Sequence, residues 1–197
     1  IKFGTDGWRA IIAQEFTVEN VARVTEATAI WLKKNFENPS VVLGHDCRFA
    51  GELFAHTAAK ILVANNIKVY LAKDFVSTPM VSLGTVRHKA SVGIIITASH
   101  NPPSYNGFKL KGYYGGPLGP EKVQEIEDII PEKANQNYEA VDLKDAETKG
   151  LIEITPLEDM YVKHVEANFD LAAIKNSGLK FAYDSMYGAG QRVMFRL

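Results

Sequence analysis

The sequence predicts a three-layer α/β/α domain with a mainly parallel mixed sheet, followed by the beginning of a second, similar domain. Segments with the helical period of apolar residues alternate along the chain with short β-branched runs. This alternation favours parallel strands joined by helices that cover both faces of the sheet. In addition, residues 92–96 (VGIII) are nearly continuously apolar, as expected for a strand buried in the middle of such a sheet.

The first half of the chain alternates in this way twice. TVENVARVTEATAIWLKKNF carries apolar residues on one helical face, with Thr17 as a candidate N-cap and Glu19 in the first turn. SVVLGHD follows Asn38-Pro39 as a strand. AGELFAHTAAKILVANN repeats the helical pattern, and IKVYLAK is the next predicted strand.

The next segments continue the same order and lead to the candidate site. STPMVSLGTVRHK predicts a short helix with Pro79 in its first turn, and ASVGIIITA predicts a strand. A short strand at GFKLK and a helix at GPEKVQEIEDII follow. Ligands of open α/β sheets bind beyond the carboxyl ends of the strands, so Ser99, which follows residues 92–96, is expected at that crevice.

The chain divides into two predicted units. Residues 131–150 are polar and lack a period, so we interpret them as a connection and place a boundary near residue 150. Residues 1–150 form the first domain. Residues 151–197 are expected to hold a linker helix, in ITPLEDMYVKHVEANFDLAAI, and then a strand and glycine turn, in LKFAYDSMYGAG, that begin a second domain. Both ends look cut, and we expect the chain to be a piece of a longer protein.

Composition narrows the classes of function. The chain has 197 residues with 22 Lys and Arg against 23 Asp and Glu, a net charge of −1, so it has no global basic field for nucleic acid or an anionic membrane. Cys47 is the single cysteine and cannot form an internal disulfide. No apolar run approaches the roughly 18 residues of a membrane span. We therefore expect a cytoplasmic protein that meets any anionic ligand with local positive charge.

Ser99 is the main candidate for chemistry. It precedes His100, Asn101 and two prolines, which stiffen the loop and keep it out of a strand ladder. A serine hydroxyl needs a base, a metal or a preorganised electrostatic site to act as a nucleophile, and the alternative is that Ser99 only caps a turn. Lys109 and Lys111 return at alternate positions of a strand and face the same side, which favours phosphate beside the hydroxyl.

A second cluster lies at the N-terminus. FGTDGWRA places Gly4 and Gly7 around Thr5 and Asp6, in a turn that exposes backbone N–H groups, and then presents Arg9. The guanidinium suits phosphate because it donates two parallel hydrogen bonds. An ordinary glycine turn with a surface arginine is the alternative. In GHDCRFAG, we expect Asp46 and Arg48 to pair with each other or cap the next helix rather than touch a substrate.

Four strings together resemble the N-terminal domain of the α-D-phosphohexomutases, the phosphoglucomutase and phosphomannomutase family: GTDGWRA, GHDCRFAG, STPM and, above all, TASHNPPSYNGFKL. The resemblance covers residues 1–150, and residues 181–190 resemble the start of the second domain. It implies that Ser99 is the phosphorylated residue of a hexose-phosphate mutase, an isomerase that acts as an intramolecular phosphotransferase. It also implies that Arg9 and Lys109 bind the transferring phosphoryl group, and that His100 transfers a proton or orients the phosphoserine.

The resemblance further implies Mg²⁺, held by the phosphate on Ser99 and by an Asp-x-Asp-x-Asp string that does not occur in these residues. Hexose phosphates would be the substrates, a hexose 1,6-bisphosphate the activator, and the missing domains of the same chain the partners. We expect the fragment to be inactive alone. Glucose and mannose phosphates stay open as substrates, as do a phosphoglucosamine mutase, a sugar bisphosphate synthase and a non-catalytic sugar-phosphate-binding or regulatory module.

Overall fold

The computed structural model describes residues 1–4, 7–134 and 137–197, and the predicted turn residues Thr5 and Asp6 lie outside these ranges. In the described residues the strands are β1 (Trp8–Ile11), β2 (Ser40–His45), β3 (Lys68–Ala72), β4 (Val92–Ile96), β5 (Tyr105–Gly112) and β6 (Ile152–Thr155). The α-helices there are α1 (Val18–Asn35), α2 (Gly51–Ala64), α3 (Thr78–Arg87), α4 (Pro120–Glu127), α5 (Leu143–Thr148), α6 (Leu157–Asn168), α7 (Leu171–Lys175) and α8 (Val193–Arg196).

The strands form one mixed sheet in the order β1-β5-β4-β2-β3-β6. β4, β2, β3 and β6 are parallel, whereas β5 runs antiparallel between β4 and β1. His45, the last residue of β2, lies opposite Ile96, the last residue of β4. The carboxyl ends of these two strands are therefore adjacent, and the loops that follow them, which carry Asp46 and Ser99, lie side by side.

Helices cover both faces of the sheet, as predicted. Ile94 and Ile96 pack into the cluster that α1 and α2 cover, and Ile95 packs into the cluster that α3 and α6 cover. All three side chains are completely buried, and burial of this kind stabilises a fold by about 1.5–3 kcal/mol for each side chain. The predicted α/β/α layering and the burial of the 92–96 strand are confirmed.

Several short elements differ from the prediction. β1 and β6 were not expected from the local sequence, and α5 lies inside the segment interpreted as a plain connection. α5 forms because the Asp142 side chain accepts hydrogen bonds from two backbone N–H groups of its first turn and because Ala146 is buried. The predicted division near residue 150 stays a prediction, and β6 joins the first sheet from beyond it.

The strand predicted within LKFAYDSMYGAG is not formed. Residues 179–183 are exposed and have neither helical nor strand structure. A strand is stable only where a neighbouring strand pairs with its backbone, and within the described ranges none pairs with this segment.

None of the helices in the described part of the chain has the length and hydrophobicity that crossing a lipid bilayer requires.

The N-cap of α1 gives a first testable prediction. The Thr17 side chain accepts a hydrogen bond from the backbone N–H of Asn20 at 3.2 Å. Replacing Thr17 by Ala leaves that N–H without its partner, and we expect a loss of about 1 kcal/mol in the free energy of unfolding. Urea denaturation measures the loss. Thr17→Ser keeps the accepting oxygen and should retain most of the stability, so an equal loss in both variants would contradict this assignment.

His88 gives a prediction on pH. Its ring stacks on Tyr70 with a centroid distance of 4.1 Å, and its buried Nε2 has no hydrogen-bond partner in the described residues. Burial lowers the pKa of His88 below 6.5, with nearby Lys68 lowering it further against the opposing effect of Glu153. As the pH falls through 6.5 the unfolded chain binds the proton before the folded chain does, so stability is lost toward acid.

The variant His88→Phe keeps an aromatic ring against Tyr70 but cannot titrate. We expect the free energy of unfolding to fall less steeply between about pH 7 and pH 5 in this variant than in the wild type. Urea denaturation across that range measures the difference. Curves that stay parallel over the whole range would contradict the proposed role of His88.

Candidate functional site

Ser99 lies at the carboxyl end of the sheet on the exposed loop that follows β4. Its backbone has a φ of 56°, which a residue with a side chain rarely adopts, and its N–H donates to Thr97 Oγ1 at 3.1 Å. The hydroxyl oxygen lies 3.4 Å from Nδ1 of His100. The loop therefore presents the hydroxyl outward with an imidazole beside it.

The loop borders a cavity of about 850 Å³. Residues from three of the sequence strings described above line this cavity, and residues 185–189 near the C-terminus complete the lining. The lining residues are Asp46, Cys47, Arg48, Phe49, Ser77, Thr78, Pro79, Thr97, Ser99, Asn101, Pro103, Ser185, Met186, Tyr187, Gly188 and Ala189. Segments far apart in the sequence thus meet where Ser99 is displayed.

Arg9 lies against the same loop. It pairs with Gly107 in the β1–β5 ladder, and its Nη1 donates to Oδ1 of Asn101 at 3.2 Å. Asn101 lies two positions after Ser99, so the guanidinium is held beside the loop that carries the hydroxyl. The sequence pointed to Arg9 but gave no sign that Asn101 would hold it.

Lys109 lies within β5, opposite Ile95 of β4, and is 4% exposed. Phe108 and Leu110 on either side of it pack into the cluster under α1 and α2, so Lys109 faces the other side of the sheet. A Cβ atom at Gly7 would lie only 2.8 Å from Cγ of Lys109. Gly7 therefore packs directly on this lysine, and the structure places Arg9 and Lys109 on the neighbouring strands β1 and β5.

Asp46 and Arg48 pair with each other, as the sequence predicted, with Arg48 Nε 3.6 Å from Asp46 Oδ2. The Asp46 carboxylate also accepts a hydrogen bond from the hydroxyl of Thr97. The sequence could have indicated this contact, because Asp46 and Thr97 directly follow adjacent parallel strands. Partial burial raises the pKa of the Cys47 thiol next to them, and the Asp46 charge raises it further, so the thiol stays protonated near neutral pH.

No group of three or more His, Cys, Asp or Glu side chains that could hold a metal ion occurs in residues 1–4, 7–134 and 137–197. The predicted role of Ser99 as a metal ligand therefore requires a phosphate on its hydroxyl. It also requires further ligands that are not a cluster of His, Cys, Asp or Glu side chains within these ranges.

Comparison with known proteins identifies the family. Residues 1–137 match the sequence model of phosphoglucomutase/phosphomannomutase, alpha/beta/alpha domain I. The chain belongs to the phosphoglucomutase/phosphomannomutase family. The resemblance inferred from the four sequence strings is confirmed, and so is the fold class.

Members of this family from several bacteria resemble the chain over almost its whole length. A phosphoglucomutase from Staphylococcus haemolyticus is 33% identical over 96% of this chain, and a phosphoglucosamine mutase from Clostridium tetani is 34% identical over 96% of it. The same alignments cover 35% and 41% of those two proteins. The chain thus spans between a third and a half of the length of these relatives.

A solved structure of a phosphohexomutase family member has the same fold. The crystal structure of a putative phosphomannomutase from Thermus thermophilus superposes with a TM-score of 0.78 and 37% sequence identity. The match covers 88% of this chain and 37% of that one. The strands and helices within residues 1–137, β1–β5 and α1–α4, are therefore those of domain I of the family.

Proposed function

We propose that this chain carries the phosphoserine part of the active site of a hexose-phosphate mutase that interconverts 1-phospho and 6-phospho glucose, mannose or both. The observation that carries the proposal is the position of Ser99. Its exposed hydroxyl follows a buried strand, lies 3.4 Å from a ring nitrogen of His100 and borders a cavity of about 850 Å³. Family membership supports the class of reaction.

The reaction proposed has two transfers. A hydroxyl oxygen of the hexose monophosphate attacks the phosphorus on Ser99, the bond from phosphorus to Oγ breaks, and the sugar's hydroxyl proton leaves as Oγ gains one. The resulting bisphosphate presents its other phosphate, Oγ loses its proton as it attacks that phosphorus, and the sugar oxygen takes up a proton as its bond to phosphorus breaks. The phosphoserine is regenerated and the phosphate has changed position on the sugar.

Arg9 and Lys109 are proposed to stabilise charge during both transfers. Phosphoryl transfer requires little covalent chemistry from the protein, so positioning and positive charge around the moving oxygens lower the barrier. A phosphoserine carries about −1.5 to −2 charge near pH 7, which would repel an anionic sugar phosphate without cations beside it. The contact of Arg9 with Asn101 in the Ser99 loop supports this role.

His100 is proposed to hold the proton that moves to or from Oγ, or to orient the phosphate. The distance of 3.4 Å between Oγ and Nδ1 supports either role, since catalytic hydrogen bonds are often long before substrate binds.

Mg²⁺ is the proposed cofactor, and this chain's donor to it would be a phosphate oxygen on Ser99. Hard oxygen donors are the ligands that Mg²⁺ prefers, and Ser99 is exposed at the edge of the cavity, where a phosphate would be accessible. When bound, the ion would neutralise charge on the transferring group. The remaining ligands are proposed to come from other parts of the full-length chain.

The identity of the sugar calls for its own assay. The two relatives named above differ by one percentage point in identity, yet one is called a phosphoglucomutase and the other a phosphoglucosamine mutase. We propose glucose and mannose phosphates as substrates, and comparing kcat/KM for glucose, mannose and glucosamine 1-phosphates tests this choice. A preference for the glucosamine compound would replace it.

The phosphoserine itself can be tested directly. We expect the full-length gene product, incubated with a hexose 1,6-bisphosphate and digested, to show the mass increment of one phosphoryl group on the peptide that contains Ser99. A non-catalytic sugar-phosphate-binding module would bind the compound without this modification. Full mutase activity with an unmodified Ser99 would overturn the proposal.

A further inference from the structure

Arg48 binds the Ser99 loop through its backbone oxygens. Nη2 donates to the carbonyl oxygens of Ser99 at 3.0 Å and Asn101 at 2.6 Å. Nη1 donates to those of Pro102 and Tyr105, both at 2.9 Å. The acceptors extend from Ser99 to the first residue of β5, so a single guanidinium fixes the path of the whole loop.

The rest of this guanidinium is held by the sheet. Nε faces Oδ2 of Asp46 at 3.6 Å, and the backbone N–H of Arg48 donates to Oδ1 of the same carboxylate at 2.9 Å. Asp46 also accepts a hydrogen bond from the hydroxyl of Thr97, which lies two residues before Ser99. Arg48 is therefore anchored to the ends of β2 and β4 while it holds the loop.

The number of donors limits what Arg48 can do. An arginine side chain has five N–H groups in a rigid fork. Four are directed to carbonyl oxygens of the loop and the fifth faces Asp46. Binding a phosphate through Arg48 would release part of the loop, and the Asp46 carboxylate offsets its positive charge.

We infer that Arg48 is a positioning residue for phosphoryl transfer, which holds Ser99 in its left-handed conformation so that Oγ is presented at the cavity. The inference rests on the proposed function. The φ of 56° at Ser99 is unfavourable for a residue with a Cβ and persists only where the surroundings impose it. The hydrogen bonds from Arg48 to the carbonyls of Ser99 and its neighbours supply that constraint.

The test compares Arg48→Lys and Arg48→Met in the full-length gene product. A lysine keeps the charge, but its single ammonium cannot reproduce the fork. With a hexose 1,6-bisphosphate, we expect both variants to phosphorylate Ser99 about 100-fold more slowly, because a misplacement near 1 Å has an effect of that size. KM for the hexose phosphate should be unchanged. Arg87→Met, at the far end of α3 from the cavity, is the matched control and should behave as wild type.

Amide hydrogen exchange gives a measurement that does not depend on activity. The N–H groups of Asn101 and Tyr105 donate within the loop, to Ala98 and Pro102. We expect them to exchange at least about tenfold faster in both Arg48 variants, with the amides of β4 unchanged to show that the fold is intact.

The two readouts separate the two ideas. A wild-type protein that gains no phosphate on Ser99 overturns the proposed function, and the exchange data still decide whether Arg48 holds the loop. Unchanged loop exchange in the Arg48 variants overturns the inference about Arg48. So does full phosphorylation of Ser99 in Arg48→Lys, because charge alone would then suffice.

Discussion

We expect Ser99→Ala to abolish phosphorylation of the loop and to lower mutase activity of the full-length protein by at least about a thousandfold, because it removes the oxygen that accepts and donates the phosphoryl group. The free energy of unfolding should change by no more than about 0.5 kcal/mol, since Ser99 is exposed. Coupled assay of the mutase and urea denaturation measure the two effects. Together they separate a catalytic hydroxyl from one that only caps a turn.

Ser99→Gly is the matched control for backbone conformation. Glycine adopts a φ of 56° without the steric conflict of a Cβ, so we expect this variant to be more stable than Ser99→Ala by up to about 1 kcal/mol and equally inactive. Ser99→Thr keeps a hydroxyl but places a β-branched side chain at that φ, so we expect it to be less stable than wild type. Retained activity in Ser99→Ala, or a large loss of stability in it, would contradict the phosphoserine assignment.

The centre of the sheet could be predicted because its signals are local. β2, β3 and β4 are short apolar runs between amphipathic helices, and α1 begins where Thr17 supplies an N-cap. In β4 every residue is buried, which matches the continuous apolar run that predicted it. Hydrophobic periodicity encodes elements of this kind directly.

The edges of the sheet could not be predicted in the same way. β1 and β6 have four residues each, and they are strands because β5 and β3 offer edges with which they pair. At residues 179–183 the sequence predicted a strand that does not form, because the segment has no pairing partner within the part of the chain described. Short strands depend on their neighbours more than on their own residues.

The site shows a similar division. Ser99, Arg9 and Lys109 could be singled out because their side chains are suited to phosphate and stand next to glycine and proline turns. The hydrogen bonds from Arg48 to four backbone carbonyls could not be predicted, because every residue has a carbonyl group and its direction depends on the local φ and ψ. Only the folded loop shows that this arginine contacts the backbone.

Gly107→Ala is expected to have the largest effect on stability. A Cβ at this position would lie 2.5 Å from the carbonyl oxygen of Thr97 and 2.9 Å from that of Trp8. Both atoms belong to backbone on either side of β5, and Thr97 also donates its N–H to Gly107 at 2.9 Å. The methyl group can be accommodated only by moving a strand, so we expect a loss of about 3 kcal/mol, which for a domain of this size lowers Tm by about 6–12 °C.

The same displacement should reach the site. The hydroxyl oxygen of Thr97 accepts a hydrogen bond from the backbone N–H of Ser99, and Gly107 pairs with Arg9 in the β1–β5 ladder. We therefore expect Gly107→Ala to slow phosphorylation of Ser99 even at temperatures where the protein stays folded.

Gly119→Ala is the matched control, since a Cβ there meets nothing within 4 Å and φ is −58°. Its stability should stay within about 1 kcal/mol of wild type. Equal stability of the Gly107 and Gly119 variants would show that β5 can shift without cost, and close packing against Thr97 and Trp8 would then not explain the glycine.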